Sequence, residues 1–166
     1  MDKEETLQKA TFMLKKILYS INQMNINEIK YLLSDNLYNK LNDYLNKEKE
    51  KHENDHYDNI KLIPSINREF EDEEYDYIEI LFNCNCIRYT SSLLFNKVLY
   101  GDNTKKIDFV IKGIVKKIKT AVPQQSYSCK NCGISYDVIE NSTCPNCGSI
   151  YDLKKYDYIM DELDIC

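Results

Sequence analysis

The sequence predicts an α+β protein, with N-terminal helices packed on a curved antiparallel sheet and a small cysteine-held ribbon near the C-terminal end. Three observations carry this. Apolar residues recur at three- and four-residue spacing early in the chain. They recur at two-residue spacing in its middle. Four cysteines then fall in two CxxC pairs close to the end. A chain of 166 residues suits one domain with a small appendage.

Residues 5–22 form the first predicted helix, with Leu7, Ala10, Leu14, Ile17, Leu18 and Ile21 on one stripe and Lys9, Lys15 and Lys16 off it. Asn25 and Asn27 interrupt the pattern and suit the start of a second, short helix over 28–33, with Ile29, Leu32 and Leu33 inward. Ser34 and Asp35 are good cap residues for a third helix, whose stripe is Leu37, Leu41, Tyr44 and Leu45. From Asn46 to Asn59 the apolar face disappears, and the reading is a frayed helix end or a linker.

The period then changes to two. Ile60, Leu62, Ile66 and Phe70 alternate with polar neighbours, and Pro64 marks an edge strand. Glu71 to Glu74 is an acidic turn. A long strand follows, with Ile78, Ile80, Phe82, Cys84 and Cys86 on one face and Glu79, Asn83 and Asn85 on the other; a strand of this length is curved or bulged. A turn is predicted over 98–104, centred on Gly101-Asp102-Asn103. The next strand carries Ile107, Phe109, Ile111 and Val115 on one face. Its apolar set slips to Ile114 and Ile118 beyond Gly113, which places a bulge there.

Composition excludes several classes. Hydrophobic residues make up 43% and charged residues 30%, too apolar for a disordered chain. The formal net charge is −5, so no bulk attraction to nucleic acid is expected. No run reaches the roughly 18 apolar residues of a membrane span. Met1-Asp2-Lys3-Glu4-Glu5 lacks the pattern of a signal peptide, and the expected location is cytoplasmic. All but two of the basic residues, Arg68 and Arg88, are lysine, and Asn, Ile and Tyr are abundant. That bias reads as AT-rich coding, so the Lys–Asn segments are discounted as binding sites.

The chemistry lies after Pro123. Ser128-Cys129-Lys130-Asn131-Cys132-Gly133 and Cys144-Pro145-Asn146-Cys147-Gly148 are two CxxC-Gly knuckles separated by eleven residues. In a knuckle the tight turn aims backbone N–H groups at the thiolates, and the glycine tolerates a positive φ. Cys129, Cys132, Cys144 and Cys147 together supply four sulfurs, which suits tetrahedral zinc. Four protein ligands leave no open position, so such a site is structural. Free thiols or disulfides are the bland alternative, and a disulfide framework fits a secreted chain without a core. Iron is the competing metal. Cys129 to Asp137 also resembles the first knuckle of a rubredoxin, and four thiolates hold either ion. The short spacer and the absence of Trp favour zinc.

Helices, a curved sheet and a strand running into a CxxC-Gly ribbon together resemble the Tim-forty-four-like family, named for a subunit of the mitochondrial inner-membrane import translocase. The segment after the second knuckle, Lys155-Tyr156-Asp157-Tyr158-Ile159, resembles the short Asp-Tyr-aromatic strand of its ribbon-bearing members, with Tyr158 where Trp is expected. The resemblance implies the cone-like fold of the nuclear-transport-factor-two-like superfamily. It also implies a non-enzymatic scaffold with a pocket for a protein or a small hydrophobic ligand, close to membranes or translocation machinery.

His52-Glu53-Asn54-Asp55-His56 spells HExxH, the motif in which two His one helical turn apart bind zinc and the Glu activates water. A third ligand would come from Glu69, Glu71, Glu73 or Glu74. The flanks, Lys47-Glu48-Lys49-Glu50-Lys51 and Tyr57-Asp58-Asn59, carry no apolar stripe to anchor such a helix. The bland reading is a solvated segment. Cys84 and Cys86 read as small hydrophobes, and Lys105, Lys106, Lys112, Lys116, Lys117 and Lys119 as a solvated face. Arg88 and Tyr89 are polar pocket candidates. Tyr151, Tyr156 and Tyr158 are expected to pack the C-terminal strand on the ribbon or sheet. The expected organisation is a helix-plus-sheet domain over 1–122, then a ribbon and terminal strand over 123–166. The expected function is binding or scaffolding with one structural zinc. An iron redox protein and an HExxH zinc peptidase are the alternatives.

Overall fold

In the computed structural model, residues 3–119, 126–129, 131–137, 141, 143–149 and 157–165 are described. Helix α1 (Lys3–Asn22), a 3₁₀ turn (Asn27–Leu32) and helix α2 (Asp35–Glu50) precede three long strands, β1 (Glu53–Glu71), β2 (Tyr75–Ser92) and β3 (Val98–Ile118). Two short strands follow, β4 (Ser126–Ser128) and β5 (Ser135–Asp137), and then β6 (Ile159–Ile165). The main sheet is antiparallel in the order β1-β2-β3-β6, and β4 pairs with β5 in a separate two-stranded sheet. This is the α+β fold that the change of period predicts.

The core lies between the helices and one face of the sheet. Ala10, Met13, Leu14, Ile17, Leu18 and Ile21 of α1 are buried, with Ile29 and Leu32 of the 3₁₀ turn and Leu37, Leu41 and Leu45 of α2. They meet Ile78, Ile80, Phe82, Cys84 and Cys86 of β2, Ile111 and Val115 of β3, and Met160 of β6. Just past the end of helix α1, Met24 has a φ of +57°, which lets Met24 N–H reach Ile21 C=O and Asn25 N–H reach Ser20 C=O. This pair of bonds is a Schellman closure without glycine. Ser34 caps α2 as expected, its Oγ accepting from Leu37 N–H at 3.1 Å. Ser34 N–H also donates to Met160 C=O at 2.9 Å, so the start of α2 is tied to β6.

Four details differ from the sequence reading. The polar stretch 46–59 is not a linker: α2 continues to Glu50, and β1 begins at Glu53. Glu48 extends the buried stripe of α2, and β1 is polar here because its side chains bond across to β2, Asp55 with Thr90 and His56 with Ser91. The β2–β3 turn is at 93–97, not 98–104. Gly101 instead lies inside β3 at φ +80°, where a β-carbon would come within 2.6 Å of Arg88 C=O. Between Ile87 and Tyr89 of β2 the partner changes from Lys106 to Gly101, so 102–105 bulge out of the ladder. The irregularity expected at Gly113 falls between Ile114 and Val115, on the side that pairs with β6. Gly113 has another reason to be glycine: Met160 Sδ and Phe82 close over it at 3.1 and 3.2 Å from where a β-carbon would stand. The terminal strand starts at Ile159 and hydrogen-bonds to β3, among the described residues, rather than to the ribbon strands. Tyr151 and Tyr156 lie outside the described residues.

The three long strands bend through further irregularities. Asn59 is an extra residue in β1 with φ +52°, and Asn67 is a second one. Asn67 Nδ2 donates to Glu79 at 2.6 Å, and Arg68 pairs with the same carboxylate at 3.2 Å. Glu79 is thus buried on the face away from the helices with its partners in place.

Candidate metal centre

The two knuckles fold alike. In the first, Gly133 N–H donates to Cys129 C=O at 2.8 Å and Cys129 N–H to Ile134 C=O at 2.9 Å. In the second, Gly148 N–H donates to Cys144 C=O at 2.9 Å and Cys144 N–H to Ser149 C=O at 2.8 Å. The glycines have φ of +80° and +76°, a conformation that a side chain would strain. The β4–β5 hairpin holds the first knuckle at its base, with Ser128 opposite Ser135.

The knuckles face each other. Cys129 Sγ lies 3.5 Å from Cys147 Sγ, and Cys132 Sγ lies 3.5 Å from Cys144 Sγ. All four sulfurs fall within 4.8 Å of one another. A disulfide would need about 2.05 Å, so these are thiols. Tetrahedral bonds of about 2.3 Å place sulfurs about 3.8 Å apart, which the observed spacing fits. The donor set therefore suits one metal ion with four-coordinate geometry.

The surroundings favour thiolates. The backbone N–H groups of Cys132 and Asn131 pull the Cys129 thiol below its ordinary range. The Ser149 side chain, 3.1 Å away, then the Ser149 N–H and the Asn131 side chain, bring Cys147 down to about 5. Cys144 goes the other way: the N–H groups of Cys147 and Asn146 pull it down, but burial and its hydrogen bonds to Cys132 and Cys147 outweigh them. Four thiolates in such proximity repel one another, and a divalent cation among them removes that repulsion. Cys129 and Cys144 are buried, Cys132 is half-buried, and Cys147 is exposed at the edge of the cluster. The contacts of Asn131 and Ser149 with Cys147 were not singled out in the sequence; Ser149 follows the second knuckle at the position Ile134 holds after the first.

The HExxH helix does not form. His52 sits in the turn before β1 with φ +58°, and Glu53 and His56 are in the strand. Four extended residues span about 13 Å, against about 6 Å on a helix. His56 Nε2 lies 2.8 Å from Ser91 Oγ, and its ring stacks on Tyr89 at 4.5 Å. Among the described residues, Cys129, Cys132, Cys144 and Cys147 are the one group of three or more His, Cys, Asp and Glu side chains placed to share an ion.

Cys84 and Cys86 are buried in the core. Arg88 lies over the rings of Tyr57 and Phe109, at 5.5 and 4.7 Å. Several lysines of β3 and the turn after it are engaged: Lys116 pairs with Asp161 at 3.3 Å, Lys119 with Glu71 at 3.1 Å, and Lys117 lies over Tyr158. Two open clefts are present. One of about 370 Å³ lies where α1 meets β1, lined by Tyr19, Asn22, His56 and Asp58. The other, about 580 Å³, is lined by Lys61, Asn83, Asp108 and Val110. Among the described residues no helix is long and apolar enough to cross a membrane.

No protein-family model matches this chain, and no curated protein matches it. The four-cysteine cluster on an α+β fold is therefore what defines its class.

Proposed function

We propose that the chain is a non-catalytic binding or scaffold protein whose ribbon is held by one structural zinc. The observation that carries this is the convergence of Cys129, Cys132, Cys144 and Cys147 from two equivalent knuckles within 4.8 Å. Four thiolates fill a tetrahedral ion and leave no position for water or substrate. The metal's contribution is then the fold of the ribbon. On this reading the ribbon-bearing scaffold is of the Tim-forty-four-like kind, with a protein or a small hydrophobic ligand as its partner. Cys129→Ser tests it. The variant should lose its metal and the order of the ribbon while keeping its helical signal, since the core is built from α1, α2 and the main sheet. Unchanged metal content in that variant would sink the assignment.

A further inference from the structure

The hairpin between β2 and β3 carries apolar side chains into solvent. Leu93, Leu94 and Phe95 are 48%, 62% and 73% exposed, and Val98, Leu99 and Tyr100 continue the patch. The loop is firmly built. Ser92 N–H donates to Lys97 C=O at 2.8 Å, and Ser92 Oγ accepts from Leu94 N–H at 3.2 Å and Phe95 N–H at 3.1 Å. Leu93 N–H donates to His52 C=O at 2.7 Å. The N–H groups of residues 92–95 are thus bonded, while Leu93, Leu94 and Phe95 are exposed. An exposed cluster of this kind marks an interaction site. It is a convex tip, so it enters something rather than receiving something.

Charge identifies what it enters. Through His52 the tip abuts the last turn of α2, where Lys47, Lys49 and Lys51 are exposed, and Lys97 is in the loop itself. Four exposed lysines stand there against one exposed acid, Glu50; Glu53 and Asp55 are half-buried, Asp55 being bonded to Thr90, and Glu48 is buried. The other end of β2 is acidic: Glu69, Glu71, Asp72, Glu73, Glu74 and Asp76 surround the β1–β2 turn. Lys3 pairs with Glu69 there and Lys119 with Glu71, while the nearby Arg68 pairs with Glu79. An 18-residue strand at about 3.3 Å per residue runs about 60 Å along its length between the two ends. That far exceeds the screening length of about 8 Å at physiological salt. A surface meeting the tip therefore meets a cationic, apolar end, whatever the net charge of the chain.

We propose that the β2–β3 tip docks on anionic lipid. Leu94 and Phe95 enter the boundary between headgroups and acyl chains, Tyr100 lies at headgroup level, and Lys47, Lys49, Lys51 and Lys97 face the anionic headgroups. The chain contains no Trp, so Phe95→Trp places a single reporter at the tip. With vesicles of phosphatidylcholine containing about 30% phosphatidylserine, in about 0.1 M salt, its emission should shift to the blue and strengthen. With phosphatidylcholine alone, or in about 0.5 M salt, binding should fall by about tenfold or more. The double variant Leu94→Asp/Phe95→Asp should co-sediment with the anionic vesicles about tenfold less, with an unchanged melting curve because both side chains are exposed. Lys47→Gln/Lys49→Gln/Lys51→Gln should weaken binding by about fivefold for each lysine that lies near the surface. Unchanged indole emission with excess anionic vesicles, or undiminished binding by the Asp double variant, overturns the proposal. So does a blue-shifted indole without lipid in a dimer that the Asp double variant dissociates, which would make the occupant a second copy of the chain.

Discussion

Asn22, the last residue of α1, joins the helix layer to the sheet edge. Its Oδ1 accepts from Tyr57 N–H at 2.7 Å, and its Nδ2 donates to Tyr57 C=O at 2.7 Å. β1 is an edge strand, so this backbone pair has no neighbouring strand, and the carboxamide takes the place of one. Two hydrogen bonds at about 0.5–1.5 kcal/mol each predict that Asn22→Ala costs about 1–3 kcal/mol. At about 2–4 °C per kcal/mol for a chain of this size, Tm falls by about 2–12 °C. Asn22→Asp sharpens the argument. It keeps an acceptor for Tyr57 N–H but sets a carboxylate oxygen against Tyr57 C=O, where only the protonated acid can donate. The folded state therefore holds the proton more tightly, and the new carboxyl's folded pKa rises above its unfolded value of about 3.9. Its stability contribution is fully present below about pH 3.9 and is lost as pH rises through the folded pKa. Urea unfolding followed by far-ultraviolet circular dichroism at pH 7 and pH 4 measures both effects. Asn22→Asp should be less stable than Asn22→Ala at pH 7, and its deficit against the parent chain should narrow at pH 4. An Asn22→Ala cost below about 0.5 kcal/mol, or an Asp deficit that does not narrow, refutes the reasoning.

Two further tests address the core and the buried carboxylate. Phe82 is fully buried at the centre of the sheet and packs over Gly113, so Phe82→Ala should cost about 3–5 kcal/mol in urea unfolding while leaving the ribbon's metal content unchanged in the folded protein. The hydrogen bond from Asn67, then those from Arg68, hold Glu79 below the ordinary carboxylate range. Its stabilisation is present above the unfolded value of about 4.3 and is lost as pH falls through the lower folded value. The parent chain should therefore lose more stability between about pH 5 and pH 3 than Glu79→Gln does, and equal losses would count against the role given to Asn67 and Arg68.

The helix stripes of α1 and α2, the cap at Ser34, the inward face of β2 and the four-cysteine cluster are all legible in the sequence. Each rests on a local rule: a period, a cap or a chelating turn. What was not legible depends on partners distant in sequence. The strand over 53–59 looks polar because its bonding side chains face Thr90 and Ser91, some 35 positions away. The turn at 93–97 was hidden because Leu93-Leu94-Phe95 reads as strand, and the chain turns there through Ser92, whose Oγ closes on Leu94 and Phe95 and whose N–H reaches Lys97 C=O, with Asn96 at φ +48°. Gly101 has turn chemistry but answers the close approach of Arg88 C=O. HExxH misleads for the same reason. Its meaning depends on a helix, and the tertiary context makes the segment a strand.

The most direct test of the central claim is metal content per chain on the purified protein, with a visible absorption spectrum taken alongside. One zinc for each chain and no visible colour are expected. A chain that carries no metal, or one that is red with iron, would contradict that claim.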